Sequence, residues 1–219
     1  MGMKTALLVL ALTLALGAKT PPTILQQVEQ ARAACLASRD EDVMVQLDRM
    51  CQADQLARKA LSELRGPERD EIVRLLQDID RHNTRQMKAW LSEREWFCIS
   101  EYGPQADQQA WLLVQHADFD PQFQREVLSR LEPLVARGET NPRNFAYLTD
   151  RVACSFSDPS RRVPQIYGTQ GSIQNGTWAP FPLLDPELVD QRRAAVGLGP
   201  LEDYTRLMNQ LFGTKWFVR

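Results

Sequence analysis

The sequence lacks every short motif that carries a known reaction. It has no Gly-rich phosphate loop, which removes the usual cradle for a nucleotide's phosphates. It has no Gly-x-Ser-x-Gly elbow, so no serine nucleophile is announced. Its four cysteines include no Cys-x-x-Cys pair and its two histidines, His82 and His116, stand far apart. Zinc-ligand spacing is therefore missing, no metal is expected, and no cofactor class is specified. An excess of one charge is missing too: 26 Lys and Arg face 28 Asp and Glu. That balance argues against nucleic acid and against an electrostatic membrane surface, since each needs concentrated positive charge. The chain also has no repeat, no low-complexity tract and no long linker. One globular domain over residues 19–219 is the expectation.

A long apolar run is absent as well. The most apolar stretch, Ala6 to Leu16, is interrupted only by Thr13. It falls well short of the roughly 20 residues that a membrane span needs. With Lys4 before it and the small residues Ala15 and Gly17 near its end, the stretch has the form of a secretion signal, residues 1–18. No cysteine near the cleavage point offers a lipid anchor. The chain is thus expected to be exported to the periplasm or medium, soluble and not stably inserted in a membrane, with a mature net charge of −3 once Lys4 is lost. In such a compartment Cys35, Cys51, Cys98 and Cys154 suggest two disulfides. The pairing expected is Cys35–Cys51 and Cys98–Cys154, the first requiring a loose connection around residues 38–42.

Most of the chain reads as amphipathic helix. Expected helices span 23–37, from a possible capping box at Ser38 to Glu41 on to Arg65, from Pro67 to about Arg94, and 104–117, with 96–103 irregular. Asp120-Pro121 and Asn141-Pro142 are cap-and-proline pairs that start two more, and Pro133 is expected to kink or shorten the first of them. After Asp150 come short segments rich in β-branched and aromatic residues, 152–156, 163–169 and 177–181, the last preceded by Asn175-Gly176. One or two closing helices follow over 186–212. The fold class expected is mainly α: six to eight helices with an antiparallel β-meander of two or three strands near residues 152–181.

Polar residues interrupt the apolar faces. Asp54 breaks the stripe Leu47, Met50, Ala57, Leu61, Leu64, with Arg58 one turn on, and Asn83 breaks the stripe Ile72, Leu76, Ile79, Met87, Trp90. Such groups either converge on a polar pocket or satisfy themselves locally, Asp54 and Arg58 as an intrahelical pair. His116 follows the apolar run Ala110 to Val114, with Gln115 before it and Asp118 two residues beyond. It is either a general base held by a carboxylate or a core histidine packing a helix end. Arg151 after Asp150 is suited to hold an anion. Gln165, Tyr167, Thr169 and Gln170 would line one polar wall around Gly168, as a ligand site or as an exposed sheet face.

Three of these segments together resemble a bacterial family of unknown function. Its marks are Gln-His-Ala-Asp, Leu-Thr-Asp-Arg and Gln-x-Tyr-Gly-Thr-Gln, carried here by residues 115–118, 148–151 and 165–170. Further similarity lies at 54–58, Asn83, 99–103, and from Val189 through Leu198 to Tyr204, so the likeness covers about 47–211. The chain departs from the pattern at Trp96-Phe97-Cys98, where the family tends to have Gly-Trp-Pro. The resemblance implies that Asp54, Arg58, Asn83, His116, Asp118, Asp150, Arg151 and the Tyr-Gly-Thr-Gln segment belong to one site. It implies no reaction. The functional expectation is a hydrolase or lyase acting on a small polar or anionic ligand, with His116 as acid–base group and Asp118 or Asp150 orienting it. Arg58, Arg151 or Arg192 would bind an anionic group, and Gln115, Asn83, Asp54, Gln165, Tyr167, Thr169 and Gln170 would complete the pocket. The competing expectation is a non-catalytic binding module of the cell envelope.

Overall fold

Helices begin in this protein where a side chain can accept the first free N–H groups or a proline removes one. A computed structural model describes residues 21–37, 42–154 and 158–212. Helix α1 (Ile24–Ala37) is followed by α2 (Val43–Glu63), whose cap is Asp42, accepting from the Met44 N–H at 2.7 Å. The capping box at residues 38–41 lies outside the described residues, as do the signal segment and residues 155–157. Helix α3 (Gly66–Leu91) has Pro67 in its first turn. Helix α5 (Pro121–Arg137) starts from Asp120, which accepts from the Phe123 N–H, and runs past Pro133 until Gly138, at φ 72°, ends it. Asn141 accepts from the Arg143 N–H at the head of α6 (Pro142–Cys154).

Helix α4 (Ile99–Gln115) starts earlier than its sequence suggests. Its first turn is separated from the rest by Gly103, at φ 80° and ψ 165°, directly before Pro104. A proline disfavours helical backbone in the residue before it, and only glycine enters this region cheaply. Trp96 and Phe97, expected in an irregular stretch, are buried just ahead of this turn and stack edge to face.

The apolar stripes pack as their spacing requires. Leu47, Met50 and Ala57 of α2 and Ile72, Ile79 and Met87 of α3 join Leu113, Val114, Val127, Leu131 and Leu148 in a core contributed by α1 to α6. After α6 the backbone departs from expectation. Residues 152–154 complete α6, and 163–169 form a loop whose one ladder contact among the described residues is a bridge between Gln165 and Leu183. The β-structure among the described residues is one antiparallel hairpin, β1 (Gly171–Gln174) and β2 (Thr177–Pro180), turned by Asn175 and Gly176 at φ 50° and 82°. A turn with both central residues at positive φ matches the twist of the strands it joins. Helices α7 (Val189–Ala195) and α8 (Leu201–Phe212) close the described chain. The protein is mainly α, with eight α-helices and a two-stranded sheet among the described residues.

The expected disulfides are not formed: all four cysteines are free thiols. Cys35 donates to Asn83 Oδ1 and Cys51 to the Gln109 carbonyl, so each thiol is turned to a partner other than sulfur. Cys98 and Cys154 lie at opposite ends of α6. The start of α4 is bonded to Glu139, just ahead of α6, whereas Cys154 is that helix's last residue. A 13-residue helix is about 20 Å long, far beyond the reach of a disulfide. Burial pushes the Cys35 thiol up to about 11 and that of Cys154 to about 12, with Asp54 and Asp150 respectively adding to the effect.

Candidate functional site

Three aspartates on three helices are wholly buried: Asp54 on α2, Asp107 on α4 and Asp150 on α6. A buried carboxylate persists only if hydrogen bonds replace its water. The partners differ, and the difference locates the site.

Asp107 binds the two ends of the α4–α6 corner together. Its oxygens accept from Trp96 Nε1 at 2.7 Å, Thr140 Oγ1 at 2.6 Å, the Asn141 N–H at 2.9 Å and Asn144 Nδ2 at 3.3 Å. Asp150 does the same for the loop after α6. It accepts from the N–H groups of Ile166 (2.8 Å), Tyr167 (3.1 Å) and Thr169 (2.8 Å) and from Thr169 Oγ1 (2.9 Å). Gly168 sits inside that turn at φ 70°, where a Cβ would come within 2.8 Å of Leu201. Gln165, fully buried, spans the loop from the other side: its Nε2 donates to the carbonyls of Gln170 and Phe181, and its Oε1 accepts from the Gln170 N–H. Arg192 donates to the carbonyls of Ile166 and Leu184, and Arg193 to those of Tyr167 and Gly199. These residues build the loop rather than face outward from it.

Asp54 is held by groups that carry charge or exchange protons. Its oxygens lie 2.9 Å from Nδ1 of His116, and Oδ1 accepts from Arg58 Nε at 3.1 Å. Arg58 Nε also stands 3.0 Å from that same Nδ1. One nitrogen cannot both donate to the carboxylate and accept from the guanidinium, and the buried negative charge selects the donor. Nδ1 therefore carries the proton, leaving the Nε2 lone pair without a protein partner among the described residues. The far end of Arg58 donates from Nη2 to Asp80 Oδ1 at 2.9 Å. Imidazole and Asp80 thus flank one guanidinium. Burial works to raise the pKa of Asp54. The bond from His116, the charges of His116 and Arg58 and the Gln55 amide outweigh it and hold this carboxyl below the ordinary range. Asp80 goes the other way. Burial pushes it up to about 7, with the charges of Asp54 and Asp118 adding to the rise and Arg58 opposing it.

Asp118 forms the next link. Arg151 grips both its oxygens, through Nε at 2.9 Å and through Nη2, while Arg151 Nη1 donates to Gln170 Oε1 at 3.1 Å. Gln170 donates in turn to Thr169 Oγ1, which reaches Asp150. Polar contacts run from Asp118 to the loop of residues 165–170, and Asp118 acts electrostatically on Asp80 at the other link.

Most of the residues expected to form one site are brought together, in distinct roles. Asp54, Arg58 and His116 meet directly. Asp118, Arg151 and Gln170 form the adjoining link, and Asp150, Gln165 and Thr169 support it from beneath. The carboxylate on His116 is Asp54, not Asp118 or Asp150, because α2 and α4 pack side by side while Asp118, past the end of α4, turns to α6. Asn83 is buried beside Cys35 and bonds none of these groups, its Nδ2 having no partner among the described residues. Gln115 is 7% exposed, yet its side chain makes no hydrogen bond among the described residues. The hydroxyl of Tyr167, a half-buried residue, has none either, and burial raises its pKa. Among the described residues no cluster of three or more metal-ligating side chains occurs. Sequence reasoning passed over Asp80, although it lies four residues beyond Leu76 and three before Asn83, on the buried stripe of α3.

The chain belongs to a family of unknown function, DUF6624, whose sequence profile matches residues 41–217. No curated protein and no solved structure matches it.

Proposed function

We propose that this DUF6624 member is an acid–base enzyme, a hydrolase or lyase acting on a small polar substrate. The observation that carries the proposal is the Asp54–His116 pair. A wholly buried carboxylate fixes the tautomer and orientation of an imidazole whose second nitrogen is left open. That is the arrangement by which a carboxylate readies histidine to take a proton. Asp80 supplies the complementary group. Its carboxyl exchanges a proton near pH 7, on the opposite side of the Arg58 guanidinium, and its second oxygen has no protein partner among the described residues. His116 takes a proton from water or substrate, and Asp80 returns one to the leaving group. Asp54 and Arg58 position both, and Asp118, Arg151 and the loop around Gln170 form the adjoining wall.

Export belongs to the same proposal, supported by the positive start and apolar run of residues 1–18. Cys35, Cys51 and Cys154 suit an oxidising compartment as free thiols, because burial raises their pKa and keeps the reactive thiolate scarce, whereas half-buried Cys98 is less protected. The binding-module reading draws support from the arginines, whose charges are already matched within the protein.

The two separate on one experiment. Purified protein and its His116→Gln variant are incubated with a polar metabolite extract, and depleted compounds are identified by mass spectrometry. The enzyme reading expects wild type to consume a small set of compounds that a folded His116→Gln variant leaves intact. Equal depletion by both, or none by wild type, overturns it in favour of the binding module.

A further inference from the structure

A buried amide oxygen left unused is costly unless something outside the protein completes it. Gln115, 7% exposed, has such an atom: its Oε1 is buried with no partner among the described residues. One turn earlier on α4, Trp111 presents a second unused group: its indole Nε1, also buried and unpartnered among the described residues. Positions four apart share a helix face. The Trp111 ring stands edge to face with Tyr147 of α6, 6.0 Å between centroids, and Tyr147 continues to Tyr204 of α8 at 6.2 Å. An unused acceptor, an unused donor and a row of aromatic rings thus lie along the face of α4 that meets α6, and the residue after Gln115 is His116.

The charges around this place narrow what it takes. Arg58 is matched by Asp54 and Asp80, Arg151 by both oxygens of Asp118, and Arg192 by two carbonyls and Asp185. An anion arriving here would have to break an existing pair. A neutral group with one acceptor and one donor meets no such penalty.

Resting on the acid–base reading, we infer that the substrate carries an uncharged planar amide-like group, a carboxamide or a lactam, recognised by Trp111 and Gln115. Its carbonyl oxygen accepts from Trp111 Nε1, its N–H donates to Gln115 Oε1, and its flat body lies against the aromatic row.

Benzamide and benzoate make a matched test, having one shape and differing in charge. Each is titrated into the protein while the indole N–H resonances are followed by NMR, that of Trp111 being assigned with Trp111→Phe. Benzamide is expected to shift the Trp111 signal saturably and benzoate to bind at least tenfold more weakly. Gln115→Leu should fold with an undiminished Tm, since the side chain it removes makes no protein hydrogen bond, and should weaken benzamide at least tenfold. Benzoate binding as well as benzamide, benzamide unaffected by Gln115→Leu, or no shift at all overturns the inference, the last outcome leaving a buried water as the partner of both groups. His116→Gln separates this from the acid–base reading. It should bind benzamide as wild type does while losing turnover; turnover kept with binding intact overturns the acid–base reading alone, and turnover lost where wild type shows no benzamide shift overturns this inference alone.

Discussion

Asp107 and Asp150 each accept four hydrogen bonds, from backbone N–H, hydroxyl, amide and indole groups that do not titrate in the ordinary range. Asp54 is bonded instead to His116, Arg58 and Gln55, and the first two of these are partly open to solvent. A carboxylate spent on fixed donors holds a loop, whereas one spent on an imidazole sets that ring's proton. Asp150→Asn tests the first half of this distinction. The amide keeps one acceptor and turns an NH2 toward N–H donors that have no water to fall back on. We expect a loss of about 3 kcal/mol in unfolding free energy, read by urea denaturation. A variant as stable as wild type would show that the loop of residues 165–170 does not depend on this anchor.

At the level of elements, α4 carries the burden. One face carries Asp107 to the head of α6 and, four and eight residues on, Trp111 and Gln115 to the aromatic row, and the helix end delivers His116 to Asp54. The break at Gly103 sets the direction in which all three point. No atom lies within 4 Å of where a Cβ would stand there, so Gly103→Ala probes backbone strain alone. The cost expected for an L-residue held at φ 80° and ψ 165° is about 2 kcal/mol, measured by the same denaturation; a neutral substitution would mean that α4 straightens freely. Helix starts were legible in the sequence wherever a cap or proline stood, at 67, 121 and 142, and Asn175-Gly176 announced the hairpin. The start of α4 was hidden because Pro104 reads as a first residue, although the chain is already helical from Ile99. The segments at 152–154 and 163–169 misled because β-branched composition describes a surface to pack against rather than a backbone state. Val152 to Cys154 pack as the last turn of α6, and residues 165–170 follow the demands of Asp150 and Gln165. Their conspicuous polarity was a real signal, but of a loop tied to its own helix. The Asp54 partnership could not be read, since it depends on how α2 and α4 lie together. Nor could the state of the cysteines: an even count suggested two disulfides, but α6 separates Cys98 from Cys154, and Cys35 and Cys51 are turned to Asn83 and Gln109.

Across the whole molecule the buried carboxyls make stability depend on pH in two opposed ways. Asp54, held below its ordinary value, contributes stability that is present above the unfolded carboxyl pKa near 4 and is lost as pH falls through the lower folded value. Asp80, raised to about 7 by burial with Asp54 and Asp118 adding to it, is protonated in the folded state where the unfolded chain is already ionised. Between about pH 4 and pH 7 the folded protein binds the extra proton, so stability falls as pH rises through that window and the loss is complete above it. At about 1.4 kcal/mol per pH unit of differential protonation, a fall of order 2–3 kcal/mol from pH 5 to pH 8 is expected, read from urea unfolding at several pH values. Asp80→Asn cannot ionise and keeps an acceptor for Arg58, so it should lose most of that slope. Asp150, also raised by burial against the pull of its four donors, would leave a smaller residual fall of the same sign. If Asp80→Asn keeps the wild-type slope in full, the proton taken up near neutrality belongs to another group. Asp80 would then stand ionised beside Arg58 as a structural partner, and His116 would lack the acid that the proposed chemistry sets opposite it.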